Sequence, residues 1–218
     1  ANHQVDSVFW TIVLSQWGFG LATGLFFFIF TCFPLKRIFD RSSHMPVVLS
    51  DTVRRELPLL DFISVNLKHL MFFGPLALAV MTGLIVGQKW ELLQLHLHSV
   101  PFGSEDPIFG NDYSFYLFTL PLLNLGKSIL WEILVILGIG TGLIFFLKQF
   151  VYLGPSGIVM QREARRPLSF LAFYFLVLMA IEFHLQRFGL LVGENGVVTG
   201  IGFADYYGQL PILHTMSI

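Results

Sequence analysis

The 218-residue chain has one cysteine, Cys32, which excludes an intrachain disulfide and any cysteine-based metal cluster. Charge is also scarce, at 12% of residues, with 13 Lys and Arg against 14 Asp and Glu for a formal net charge of -1. Nucleic-acid binding needs a basic stripe that neutralises phosphates, and the basic residues here are scattered, so we expect no nucleic-acid partner. No serine-nucleophile motif and no zinc-protease helix occurs, and we expect no enzymatic activity. A basic-then-apolar leader with a small-residue cleavage site is missing as well, so the start at Ala1 reads as a processed or trimmed end. What fills the space is apolar. Hydrophobic residues make up 55% of the chain and 24 of them are phenylalanine, a membrane composition.

A bilayer core takes about 20 apolar residues as helix, because each residue rises roughly 1.5 Å and every backbone amide must be bonded within the segment. Four stretches meet that requirement. They run from about Phe9 to Phe33, from about Leu67 to Val86 with Lys68 and His69 at the entry, from Ser128 to Leu147 with Glu132 inside, and from Leu168 to Phe188 with Glu182, His184 and Arg187 near its end. The expected fold is all-α: a polytopic transmembrane helical bundle forming a single membrane domain over residues 1–218.

Basic residues in the connections set orientation. The 34–66 segment carries Lys36, Arg37, Arg41, Arg54 and Arg55, and the 148–167 segment carries Lys148, Arg162, Arg165 and Arg166. Both are expected in the cytoplasm. The 87–127 segment has only Lys89 and Lys127 against Glu91, Glu105, Asp106 and Asp112, and the first eight residues have no Lys or Arg. It is therefore expected outside, as are both termini, including the 189–218 segment.

Glycine pairs spaced four apart, Gly20/Gly24, Gly83/Gly87 and Gly138/Gly142, suit close helix approach in lipid, although glycine is simply commoner in membrane helices. Pro75 is expected to kink the second span. Ser50 and Asp51 can cap a short helix through Thr52 to Asp61, limited by Pro58. Its Arg54 and Arg55 read as a solvated basic turn or as contacts to anionic headgroups.

In the long outer connection, Trp90 to Leu97 suggests an interfacial helix. On a helix the two-apart His96 and His98 diverge, which argues against a metal site. Asp106-Pro107 and Gly110-Asn111-Asp112 mark turns, and the aromatic run Tyr113, Phe115, Tyr116 and Phe118 suits the headgroup zone. Pro121 is expected to break any helix begun at Asp112, so Ser114 to Leu125 reads as an interfacial or re-entrant piece. Glu105, Asp106 and Asp112 lack the ligand spacing of a calcium-binding hand and read as a solvated turn. This loop, with Asp106, Pro107, Phe109, Gly110, Asp112, Phe115 and Tyr116, is the candidate interaction surface.

The stretch WELLQLHLHSVPFGSEDPIFGNDYSFYLFTLP, Trp90 to Pro121, resembles the outer-loop signature of the bacterial and cyanobacterial membrane proteins grouped as uncharacterised protein family 0182. QRFGLLVGENGVVTGIGFADYYGQLP, Gln186 to Pro211, is similar to a second segment of that family, through Arg187, Phe188, Gly196, Val198, Gly200, Gly202, Asp205, Leu210 and Pro211. The resemblance implies a multi-pass protein of a bacterial plasma membrane or a cyanobacterial thylakoid. It also implies further helices and a large extracytoplasmic domain after the Leu-Pro, whereas this sequence stops at Ile218, as a short form or as part of a longer protein.

Ionisable groups inside spans are functional candidates by default. By helix depth Glu132 and Glu182 share an outer-leaflet level, Gln186 lies one turn above Glu182, and His184 faces away from Glu182 beside Arg187. The plainest expectation pairs Arg187 with one of these carboxylates or with a headgroup. A proton or ion relay through Glu132 and Glu182, and a protonated carboxyl bonded to a backbone carbonyl, are the alternatives. His184, among Phe173, Tyr174, Phe175 and Phe183, is a candidate ligand for chlorophyll magnesium or haem iron. His69, at the opposite end of its span, suits only a separate pigment. The glycines from Gly196 to Gly202 follow no strand that opens a helix and read as turns, with a hairpin around Glu194-Asn195-Gly196. Three functions follow in order. The first is an accessory subunit that docks to or supports assembly of a larger membrane complex, photosynthetic complexes included, with lipids and other membrane subunits as partners. The second is a holder of chlorophyll, haem, quinone or lipid, and the third an ion or proton transporter.

Overall fold

The computed structural model describes residues 2–42, 58–148, 150–154, 157–192 and 205–216. The helix start at Ser50-Asp51, the basic turn at Arg54-Arg55 and the turns from Glu194 to Gly202 lie outside them. The helices are α1 (Asn2–Arg41), α2 (Pro58–Val65), α3 (Leu67–Gly87), α4 (Trp90–Leu97), α5 (Leu120–Leu147), α6 (Arg162–Val192) and α7 (Leu210–Met216). Two π-helical segments, Phe115–Thr119 and Asp205–Gln209, lead into α5 and α7, and strands β1 (Val151–Gly154) and β2 (Gly157–Met160) precede α6.

Four helices are long and apolar enough to cross a membrane: Phe9–Arg41, Leu67–Gly87, Phe115–Leu147 and Glu163–Leu191. This is the all-α polytopic class the composition implies. The helices overrun the apolar stretches, and prolines explain where the boundaries were misplaced. Pro34 lies inside α1 and Pro167 inside α6, each giving up one backbone hydrogen bond without ending its helix. Lys36, Arg37 and Arg41 therefore stand on helix α1 rather than on a loop. Pro58 opens α2, as suits a residue whose missing N–H is an orphan donor in the first turn.

The largest departure concerns Ser114 to Leu125, which is not a separate piece ahead of the third span but forms one continuous helix with it. Leu120 N–H bonds to the Phe115 carbonyl five residues back, so the ladder is already widened one residue before Pro121. The proline thus meets a re-spaced helix in which its absent N–H and its bulk are accommodated. A second departure is the antiparallel pairing of β1 with β2, in the register Val151↔Met160 to Gly154↔Gly157, where the sequence suggested a plain loop.

The chain groups into two compact units, residues 1–88 with 132–173, and residues 89–131 with 174–218; α5 and α6 contribute to both. In the first unit, α1 and α3 meet along a glycine seam. A Cβ on Gly20 would lie 2.6 Å from the Gly83 carbonyl oxygen, one on Gly83 2.8 Å from that of Gly20, and one on Gly87 2.9 Å from that of Gln16. Beside this seam Thr23, Phe27, Thr31 and Leu35 of α1 are buried, and so are Met71, Pro75, Ala79 and Val86 of α3, the spacing of one helix face. Gly138 and Gly142 meet nothing within 4 Å, so the third glycine pair serves no close approach among the described residues. Lys148, past the end of α5, is buried and donates from Nζ to the Ser42 carbonyl at 2.5 Å. Its ammonium also lies 4.7 Å from the centroid of the Phe39 ring.

Candidate functional site

In the second unit, the loop between α4 and the first π segment is closed by two carboxylates. Asp106 was expected in a solvated turn, yet it is only 3% exposed. Its Oδ1 accepts from Ile108 N–H at 3.0 Å, and its Oδ2 from Phe109 N–H at 2.7 Å and from the Tyr116 hydroxyl at 2.9 Å. Its own N–H donates to the Asn111 carbonyl at 2.8 Å. The chain reverses through Gly110, at φ 68°, a left-handed conformation that glycine adopts without strain. Asp112 gathers the other strand of the loop: Oδ1 accepts from Ser114 N–H at 2.8 Å and Phe102 N–H at 3.1 Å, and Oδ2 from Gly103 N–H at 2.9 Å. Those bonds, led by the one from Ser114, hold the Asp112 carboxyl at about 2 against its usual 3.8.

The clasp carries aromatic rings onto α6. Phe109 and Phe115 pack edge-on against Phe188 with centroids 5.0 and 5.3 Å away. Tyr116, Leu120, Leu185 and Phe188 form the buried cluster beneath. Of the proposed interaction loop, Asp106, Phe109, Phe115 and Tyr116 therefore turn inward. Pro107 and Gly110 stay exposed, as do Phe102, Tyr113 and Leu117.

Farther along α6, Glu182 sits at the centre of a polar cluster. Lys127 Nζ lies 2.8 Å from its Oε1, with the side chains 15% and 21% exposed. Gln186 Nε2 donates to Oε1 at 3.0 Å and Trp131 Nε1 donates to Oε2 at 3.1 Å. A cavity of about 440 Å³ adjoins the cluster, with Asn124, Lys127, Gln186 and Gln209 among Leu190 and Ile212 in its wall. Sequence reasoning placed Glu182 and Gln186 on one face, as their hydrogen bond shows, but missed Lys127, because it began the third span at Ser128, and Trp131, because it weighed only ionisable groups inside spans. The missed signal was the i, i+4 spacing of Lys127 and Trp131, which sets both donors on one helix face opposite an intramembrane acid.

Arg187 does not pair with either carboxylate. Its guanidinium donates to His184 Nδ1 at 2.9 Å and to His214 Nδ1 at 3.0 Å, and lies 5.1 Å from the Phe188 ring centroid. A guanidinium only donates, so each imidazole takes the acceptor's part in these bonds. Glu132, in the other unit, accepts instead from the Thr82 hydroxyl at 3.0 Å. His69 is exposed near the start of α3. His96 Nδ1 pairs with Thr119 Oγ1 at 3.1 Å and His98 Nδ1 with the Gln94 carbonyl at 3.0 Å. No three of His, Cys, Asp or Glu converge as metal ligands among the described residues.

Four apolar helices and acids held by donors on neighbouring helices describe a multi-pass membrane protein. The chain belongs to the uncharacterised protein family UPF0182, which matches it over residues 1–218. It is similar to a UPF0182 protein of Saccharopolyspora erythraea, 33% identical over 210 residues covering 94% of this chain and 21% of that protein. A second relative, from Geobacter sulfurreducens, is 30% identical over 215 residues, covering 97% of this chain and 24% of that protein. A third, from Pelotomaculum thermopropionicum, is 32% identical over 213 residues, covering 93% and 23%. The chain thus spans 21 to 24% of the length of these relatives. No solved structure matches it.

Proposed function

We propose that this chain is a non-catalytic membrane platform, whose clasped loop presents a fixed surface to other subunits of a larger membrane assembly. The observation that carries this reading is the inward turn of Asp106. Its carboxylate satisfies three donors of the loop and of Tyr116, while Phe102, Tyr113 and Leu117 stay exposed around the clasp. A loop that orders its backbone this fully and leaves aromatic side chains outward suits docking, because little entropy remains to be lost on association. Glu182 supports the same reading: its oxygens accept from Lys127, Trp131 and Gln186, so they are engaged by structural donors of the bundle. By the excess of basic residues, the helix ends bearing Arg37, Arg41, Arg165 and Arg166 face the cytoplasm of a bacterial plasma membrane or a thylakoid, and the clasp faces outward.

Photo-crosslinking from Tyr113→benzoylphenylalanine in native membranes tests the proposal. The expected result is one discrete adduct with a membrane polypeptide, lost when Asp106→Ala opens the clasp. An adduct pattern unchanged by Asp106→Ala overturns it. So does a purified chain with visible absorption that disappears in His184→Leu, an outcome that moves the assignment to cofactor binding.

A further inference from the structure

Away from the clasp, in the first unit, a second cavity of about 400 Å³ opens where α1 and α6 leave the apolar part of their sequences. Arg37 and Arg41, one turn apart on α1, and Arg166 of α6 line it, with Glu163 also in the wall. Its floor is apolar: Phe145 and Phe150 are buried there. We propose that this cavity binds the phosphate of an anionic membrane phospholipid.

Three features of the site point to that chemistry. The first is the donor set. Guanidinium groups are planar forks that engage phosphate oxygens two at a time, and three around one opening outweigh the single carboxylate of Glu163. The second is level. Arg37 and Arg41 follow the charge-free run that ends at Leu35, and Arg166 immediately precedes Pro167 and the apolar run that starts at Leu168. All three therefore stand where a span emerges into the headgroup layer, the usual place for basic pockets between helices that hold anionic headgroups. The third is the mixture of walls. A site for free inorganic phosphate has no use for an aromatic floor, whereas the glycerol and first acyl carbons of a phospholipid fit against Phe145 and Phe150. Behind the wall, the ammonium of Lys148 is tethered to the carbonyl of Ser42, itself a lining residue. It adds positive potential without occupying the opening. Arg37 is oriented by its own helix, with its guanidinium carbon 4.4 Å from the centroid of the Phe33 ring one turn back.

The test is native mass spectrometry of the purified full chain in mild detergent, titrated separately with phosphatidylglycerol, phosphatidylcholine and inorganic phosphate. Variants are Arg37→Gln/Arg41→Gln, Arg166→Gln and, as the control with the same charge change, Arg165→Gln, which does not line the cavity. Arg37, Arg41, Arg165 and Arg166 are all exposed, so the fold should survive, and gel filtration checks that it does. We expect one phosphatidylglycerol to bind in preference to phosphatidylcholine. Each lining arginine removed should weaken it about five-fold, with Arg165→Gln near wild type. Equal weakening by Arg165→Gln and Arg166→Gln, or equal binding of the two lipids, overturns the proposal. Occupancy by inorganic phosphate with no phosphatidylglycerol preference overturns the lipid assignment in favour of a soluble phosphate. If the double variant fails gel filtration, the comparison of Arg166→Gln with Arg165→Gln decides alone.

Discussion

The Tyr116 hydroxyl donates to Asp106 Oδ2 at 2.9 Å, across ten residues of sequence and within a buried cluster. The same oxygen also accepts from Phe109 N–H at 2.7 Å, so this bond ties the turn to the start of the third span. Removing the carboxylate strands buried donors, whereas removing the phenol leaves a carboxylate with its two backbone partners. Asp106→Ala should therefore cost about 3 kcal/mol and Tyr116→Phe about 1 to 1.5 kcal/mol. Thermal unfolding in detergent gives both values. A double-mutant cycle should show coupling, and additive losses would mean that the two groups do not share an interaction.

The clasp also sets a pH dependence through Asp112. Its folded carboxyl titrates at about 2 against an ordinary 3.8. A lowered folded value contributes stability above the ordinary one, which is lost as pH falls from near 4 toward 2. Pepsin cleavage within the 100–114 loop should accelerate across that window in the wild type. Asp112→Asn should already be cleaved faster at pH 5 and show no matching step below it. An identical acid profile in both proteins would remove Asp112 from the account.

The spans were legible because hydrocarbon imposes a length and a composition that a sequence displays directly. Their ends were not, because a helix stops for backbone reasons: Pro34 and Pro167 were tolerated, and the π turn before Pro121 let the third helix begin at the aromatic run. That one boundary hid Lys127, the ion-pair partner of Glu182, while Trp131, inside the expected span, carries no charge to draw notice. Asp106 was singled out, but its burial was invisible because the donors it gathers are mostly backbone N–H groups, which leave no trace in residue type. The separation of the glycine pairs into two that meet and one that does not was equally unreadable, since spacing on one helix says nothing of what lies opposite.

The glycine seam gives a sharp contrast. A Cβ on Gly20 meets the Gly83 carbonyl oxygen at 2.6 Å, and backbone cannot move aside as a side chain does. Gly20→Ala should part α1 from α3 and cost about 1 to 3 kcal/mol. Gly138→Ala meets nothing within 4 Å and should be neutral or stabilising by up to about 1 kcal/mol, the helix-propensity gain. Parallel melting curves of the two variants decide it, and equal destabilisation would mean that the seam is not the reason these glycines are there.

The pair of Lys127 and Glu182 offers the most informative perturbation, because its members are mostly buried, at 15% and 21% exposure, and because breaking such a pair differs from replacing it. Lys127→Met leaves the Glu182 carboxylate with only the Trp131 and Gln186 donors, so a low-dielectric charge loses its counterion, at a cost of about 3 kcal/mol. Glu182→Met strands the ammonium together with those two donors and should cost at least as much. The double variant Lys127→Met/Glu182→Met removes both charges and restores apolar packing, and should recover more than half of either loss. Melting temperatures of the four proteins in one detergent measure this. A double variant as unstable as the sum of the singles would show that the two residues act through separate partners. Recovery of stability accompanied by loss of the Tyr113 crosslink would instead show that the ion pair serves docking rather than folding.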